Sequence, residues 1–420
     1  MWAKKDLTGY AILLDKLRMG LALEIRKITK DERLALNDLY RYAYTEWSDQ
    51  DVKDEELDDM RIEETLGVFE NGRLVSSLRV HDFQQSVRGV LKSCGGIAGV
   101  ATYPEARRKG FVRKLMQESF TIMHKQGQSV SMLDPFKQTY YEQFGFVAAN
   151  APYLIEAPIK QLTVWHPKKQ DSDWTYERVR AVNAKEDYLN FVREVGPSQY
   201  HGYIIFKTIP DTMWKRRVKD SVIVFVKYKG NTEALSRYRI KGERIKGQYR
   251  STFHVIDALW RSRAARDRLF AFYLKHQDQI DNISIHAPFE TKVEHWFKDT
   301  RLKVERKTTW MVRIIDAKKA IEDLPGAGED IISVELSDSD CPWNNGVFSL
   351  QSEKGRLRLT ESSGHSVVKS SIQAFSSLLY GTQSLEELEF QGNITVSEKW
   401  ARHILQRWFP PLSLYNVVYF

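Results

Sequence analysis

The sequence predicts an α+β fold of layered, mixed sheets, and three observations carry that expectation. Apolar–polar alternation marks short strands in every part of the chain. Helix-period segments fall between groups of strands instead of alternating with them one by one, which favours partly antiparallel sheets over a doubly wound parallel one. The mixture recurs in three successive blocks, and 420 residues suffice for two to four domains at roughly 100–200 residues each.

In the first block, residues 23–28 alternate apolar and charged side chains and predict a strand. Residues 31–47 carry Leu34, Leu36, Leu39, Tyr40, Ala43 and Trp47, mostly at helical spacing. An acidic stretch, 46–64, follows with about ten carboxylates opposed by Lys53 and Arg61. Residues 66–70 and 73–81 flank Asn71-Gly72, whose readiness for positive φ signals a two-residue hairpin. Residues 87–93 and 96–102 read as two further strands, 110–126 as a helix, 129–133 as a buried strand and 144–148 as another, after a Tyr-rich helical turn.

The second block repeats this order without close identity, so an internal duplication is expected. Strands are predicted at 176–182, 222–227, 236–245, 249–259 and 283–287, with 303–312 finishing the sheet; helices are predicted at 184–194 and 262–275. In the third block 316–321, 370–379 and 398–408 have helical spacing, 331–336, 346–350 and 355–360 read as strands, and the chain closes on an aromatic stretch, 415–420. The expected divisions are 1–18, 19–155, 156–308 and 309–420. Residues 1–18 read as an extension: the apolar run 11–14 is too short for a secretory core and is followed by Asp15, Lys16 and Arg18, with Met19 a second candidate start.

Composition narrows the function classes. Hydrophobic residues at 42% and charged ones at 28% exclude wholesale disorder. No run approaches the ~18–20 apolar residues of a membrane-spanning helix. Cys94 and Cys341, the only cysteines, exclude a disulfide framework and a Cys-rich zinc site and fit a reducing cytoplasm. The net charge of +8 is small and its cations are dispersed, so no nucleic-acid partner is expected. The ten histidines show no His-x-x-x-His or His-Glu-x-x-His spacing, and Asp338-Ser339-Asp340 lacks the later Gly and Glu of a calcium loop, so no metal is expected.

The richest segment runs from Gly99 to Arg113: a strand, a loop with Arg107, Arg108 and Lys109, and Gly110 opening a helix. Exposed N–H groups and the helix dipole favour an anion there, the three cations neutralise a diphosphate, and Gly110 permits close backbone approach. This segment resembles the acetyl-CoA pyrophosphate loop of the GNAT acetyltransferases, Gln/Arg-x-x-Gly-x-Gly/Ala. Arg107 and Gly110 match; Val112 departs from the small final residue. Tyr141-x-x-Phe144-Gly145-Phe146 is similar to the family's Tyr-x-x-Phe-Gly-Phe/Tyr run. The order of blocks, with 310–316, 341–348 and 377–392 typical of the third, resembles the Eis-like acetyltransferases over roughly residues 20–420.

The resemblance implies two tandem GNAT-like domains with mixed sheets and a C-terminal sterol-carrier-like α/β domain. It implies an acetyl-CoA-dependent N-acetyltransferase acting on a cationic small-molecule amine or a lysine side chain. Acetyl-CoA would be held by the backbone of Val100, Ala101 and Thr102 and by Arg107, Arg108, Lys109, Gly110, Phe111, Val112 and Arg113. Tyr141 would protonate the departing thiolate, a role suited to a phenol protonated at neutral pH. Tyr140 reads as a core aromatic. The α-carboxylate of Phe420 would accept the amine proton. A homohexamer is also implied. The second block carries Ala258 to Arg266 where the cofactor loop should lie and lacks its glycine, so it is expected to bind no acetyl-CoA. The acidic stretch reads as a solvated helix face or as an attractor for a cationic acceptor. The reading from a different class is a non-catalytic binding protein for a hydrophobic ligand or acyl-CoA.

Overall fold

A computed structural model describes residues 23–44, 57, 60–149, 152–163, 172–245, 248–288, 291–298, 302–306 and 310–418. The chain forms two compact units, one of residues up to His81 with Ile97–Ile122, the other of Asp82–Gly96 with all residues from Met123 on. The extension 1–18, Trp47 and Phe420 lie outside the described residues.

In the first unit Leu23–Lys27 runs antiparallel to Thr65–Glu70, Leu23 facing Glu70. Thr65–Glu70 turns through Asn71 (φ 55°) and Gly72 (φ 78°) into Arg73–Val87, the hairpin that Asn-Gly predicts. Helix Arg33–Ala43 buries Leu36 and Leu39 against Ile28, Phe69, Leu74 and Ala101, one narrow apolar stripe closing one sheet face. The described end of the acidic stretch is internally engaged: Glu64 pairs with Arg61 and lies 2.7 Å from Nδ1 of the buried His81. Desolvation holds that imidazole below its usual pKa.

The strands read at 87–93 and 96–102 are corrected by the structure. They are one strand, Val90–Thr102, hairpinned to Arg73–Val87 through Arg88 (φ 49°) and Gly89 (φ 84°). Arginine is a poor turn former. Here its side chain donates to the carbonyls of Leu379 at 2.7 Å and of Leu378 and Pro410 at 3.0 Å, so tertiary contacts stabilise the turn. The segment 303–312 is corrected too. It splits, with Lys303–Arg306 pairing to Tyr153–Pro158 in one sheet and Met311–Ile314 standing in another, between Val130–Leu133 and Val147–Ala148. Ile204–Phe206 pairs with Phe83–Gln85.

A seven-stranded sheet holds, in order, Lys303–Arg306, Tyr153–Pro158, Asn282–Ala287, Gln248–Trp260, Asn231–Ile245, Val222–Tyr228 and Trp174–Arg180. Helix Arg263–Leu274 lays Leu269, Phe270 and Tyr273 on its core with Phe253 and Ile283. A third sheet, five-stranded, orders Arg356–Glu361, Gly346–Glu353, Ile331–Ser337, Val368–Ser371 and Ile394–Val396, and helix Ile372–Tyr380 is buried along nearly its whole length. No helix of the described residues is long and apolar enough to cross a membrane.

His201 joins parts of the second unit. Its Nδ1 accepts from the Arg88 N–H at 3.1 Å, so its Nε2 carries the hydrogen donated to the Tyr380 carbonyl at 3.0 Å. This arrangement requires a neutral ring, and desolvation with the Arg88 charge pushes its pKa down to about 4. A depressed native pKa means the unfolded chain binds the proton first. The contribution is therefore complete above the unfolded value near 6.5 and is lost as pH falls towards 4. Partial exposure trims the full linkage value to on the order of 2 kcal/mol. Chemical denaturation across this range is expected to show the loss in the wild type and a flatter profile in His201→Gln, whose amide reproduces both hydrogen bonds without titrating. Parallel profiles would count against the assignment.

Candidate active site

Strand Val90–Thr102 breaks its extended path at Gly99 (φ 58°), and a Cβ there would overlap the Tyr40 hydroxyl. That hydroxyl is buried and has no hydrogen-bond partner among the described residues. Beyond the break the three carbonyls of the expected pantetheine strand have partners. Val100 accepts from the Tyr44 hydroxyl at 3.3 Å, Ala101 from Ser76 Oγ at 3.0 Å and Thr102 from Arg107 Nε at 3.3 Å.

A 3-10 turn, Pro104–Ala106, then leads through Arg107 (φ −66°) and Arg108 (φ 64°) to Gly110 (φ 79°) and helix Phe111–Lys125. Positive φ at Arg108 and Gly110 curls the backbone ahead of the helix, the geometry that turns successive N–H groups into an anion nest. Residues 107–110 are exposed, while Phe111, Leu115 and Met116 anchor the helix from below and Val112 is half-buried. Apart from Gly110 and its chain neighbours, no described atom lies within 4 Å of a Cβ built there, so the loop is open on that side. Of the three cations, Lys109 is held by Glu70 at 3.0 Å, and Arg107 leans back on the Thr102 carbonyl.

The second block's corresponding loop is tied by side-chain bonds. Ser262 caps helix Arg263–Leu274 by accepting from the Ala265 N–H at 3.2 Å, and Arg261 is bound to Glu194. The Ala265 amide at that helix start thus has an internal acceptor.

Tyr141 sits on the short helix Gln138–Glu142 and is 4% exposed. Its ring meets Tyr140, Phe136 and Phe146 edge-on at 5.2, 5.6 and 6.4 Å. Tyr140 is half-buried, so the more enclosed ring of the pair is Tyr141. The turn after it depends on Gly145 (φ 76°), whose missing side chain admits the Arg313 guanidinium. Tyr40, Tyr44 and Gly99 escaped the sequence reading as site residues. An isolated glycine inside a strand was the available signal, since it marks a bulge or a close backbone approach. No group of three or more His, Cys, Asp or Glu able to hold a metal occurs among the described residues.

Comparison with known proteins matches the acetyltransferase (GNAT) domain family at residues 24–149 and, with a second acetyltransferase (GNAT) domain description, at 209–314. The sterol carrier protein domain family matches 317–415. No curated protein matches in sequence. Among solved structures, a GCN5-related N-acetyltransferase from Anabaena variabilis has a TM-score of 0.81 at 18% identity, over 95% of this chain and 100% of that one. A probable N-acyltransferase from Enterococcus faecalis has 0.78 at 22%, over 95% and 100%. Eis1 from Mycobacterium abscessus has 0.75 at 18%, over 94% and 100%. At such identities the likeness is one of fold, and it spans all three domains in order. Two acetyltransferase (GNAT) domains followed by a sterol carrier protein domain make this chain a GNAT-family acetyltransferase, with an overall fold like that of Eis1.

Proposed function

We propose that the first GNAT domain transfers the acetyl group of acetyl-CoA to the primary amine of a cationic small molecule or a lysine side chain. The open approach at Gly110, set against the capped loop at Ser262, is the observation that carries this reading. Arg107, Arg108 and Arg113 neutralise the diphosphate with the N–H groups of 108–112, and Lys109 joins them by exchanging Glu70 for phosphate. The backbone of 100–102 pairs with the pantetheine amides, for which Tyr44 and Arg107 must release the carbonyls of Val100 and Thr102.

The Phe420 carboxylate, directly or through water, takes a proton from the ammonium group. The free amine attacks the thioester carbon, the C–S bond breaks, Tyr141 gives its phenolic proton to the leaving thiolate, and the extra proton on the acylated nitrogen passes, directly or through water, to the Tyr141 phenolate, which restores the phenol. The products are the N-acetyl amine and CoA. Cytoplasmic location and a closed oligomer, a hexamer by resemblance, belong to the same proposal. Incubation with acetyl-CoA and a panel of polyamines and aminoglycosides is expected to release free thiol in an amine-dependent way. Failure to bind acetyl-CoA in calorimetry would reject the reading, and binding without thiol release would favour a carrier.

A further inference from the structure

Helix Ile372–Tyr380 and strand Val147–Ala148 border a cavity of about 380 Å³ that the proposed reaction leaves unused. That volume falls within the range of small-molecule pockets. Gln373 and Ser377 stand one turn apart on the helix, and both line the cavity. Glu142, at the end of helix Gln138–Glu142, lines it too. Gln383 and Asn393 come from the segments before and after helix Leu385–Phe390. Val147 and Leu388, both buried, supply apolar wall.

The polar groups here are left with acceptors to offer. Gln373 Nε2 donates to the Phe146 carbonyl at 3.2 Å. Gln383 Nε2 at 3.0 Å and Asn393 Nδ2 at 2.9 Å both donate to Gln391 Oε1. The donor ends of all three amides are thus engaged, while their own side-chain oxygens accept nothing among the described residues. The Glu142 carboxylate has no ion-pair partner among the described residues. Ser377 is 2% exposed, and its hydroxyl has no partner among them either. A buried hydroxyl left without a partner is uncommon in folded proteins and calls for one from outside the chain.

We propose that this cavity binds an aliphatic diamine or polyamine. An ammonium group offers three N–H donors and no acceptor, the complement of what these residues leave free. Glu142 takes one ammonium in a charge-assisted hydrogen bond. The oxygens of Gln373, Gln383, Asn393 and Ser377 take the remaining N–H groups, and the methylenes between the nitrogens lie on Val147 and Leu388. Such amines are protonated at neutral pH, as lysine is with its pKa of about 10.4. None of these residues belongs to the acetyl-transfer machinery, so this is a second amine site and goes beyond the reading above.

Calorimetry on the full-length protein, with CoA saturating and no acetyl donor, compares putrescine with the neutral diol of the same chain length. The diamine is expected to bind at least about 10-fold more tightly, the worth of a hydrogen bond to a charged group. Glu142→Gln removes the charge, and Asn393→Lys places a fixed ammonium beside the cavity. Both positions are exposed, so wild-type melting is expected in each variant. Two bound putrescines in the wild type and one in each variant would separate this site from the acceptor site of the transfer reaction. One in the wild type and none in the variants would keep this site and count against putrescine as the acceptor. Wild-type stoichiometry and affinity in both variants, or equal binding of the diol, would overturn the proposal.

Discussion

A Tyr141→Phe enzyme is expected to keep its affinity for CoA and lose about 100-fold or more in kcat, measured as thiol release. General-acid assistance typically contributes about 10²–10⁴-fold. A phenol and a thiolate differ in pKa by only about 1.5 units in their ordinary states, so proton transfer between them is nearly balanced. The substitution removes the hydroxyl and nothing else. The edge-on contacts with Tyr140, Phe136 and Phe146 involve the ring, which phenylalanine retains, so the fold around residues 138–146 is expected to persist. Unchanged turnover would remove Tyr141 from the reaction.

Arg313→Leu is expected to produce the largest stability effect, a loss of about 3–5 kcal/mol. Arg313 is fully buried on strand Met311–Ile314 and makes a two-oxygen ion pair with Asp338 at 2.7 and 2.9 Å. It also donates to the Phe144 carbonyl and to Cys341 Sγ. Asp338 accepts further from the Asp340 and Cys341 N–H groups at 3.1 Å and from Asn344 Nδ2 at 2.9 Å. Removing the guanidinium strands a buried carboxylate, and desolvation then goes uncompensated. The double variant Arg313→Leu with Asp338→Leu is expected to recover part of the loss, since neither charge is then left alone. Urea denaturation of wild type and both variants tests this; equal stability of wild type and Arg313→Leu would refute it.

These residues also mark where the sequence was legible. Asn71-Gly72 announced its hairpin because both residues take positive φ at little cost. Arg88-Gly89 gave no comparable signal, because its stability comes from carbonyls some 290 to 322 positions away. The break in 303–312 was hidden for a related reason: β-propensity reports that a segment is extended, not which sheet receives it. Of the candidate site, the loop 107–113 was legible because strand, cations, glycine and helix are contiguous. Its support at Tyr40 and Gly99 is assembled from distant segments and carries no local pattern. The aromatic and apolar character of 415–420 suggested burial, and of its described residues Tyr415 is 2% exposed while Val417 and Val418 are half-buried.

Strand Met311–Ile314 governs the order of assembly during synthesis. Among the described residues, Met311–Ile314 is the strand that pairs with Val130–Leu133 on one side and, through Met311 and Val312, with Val147–Ala148 on the other. A nascent chain emerging at ~5–20 residues per second must therefore wait on the order of ten seconds or more after residue 148, until the filling strand leaves the ribosome. Throughout that interval two open β-edges invite pairing with other chains. Chaperone capture of the growing polypeptide, and poor recovery of fragments that stop before residue 314, follow from this vectorial delay.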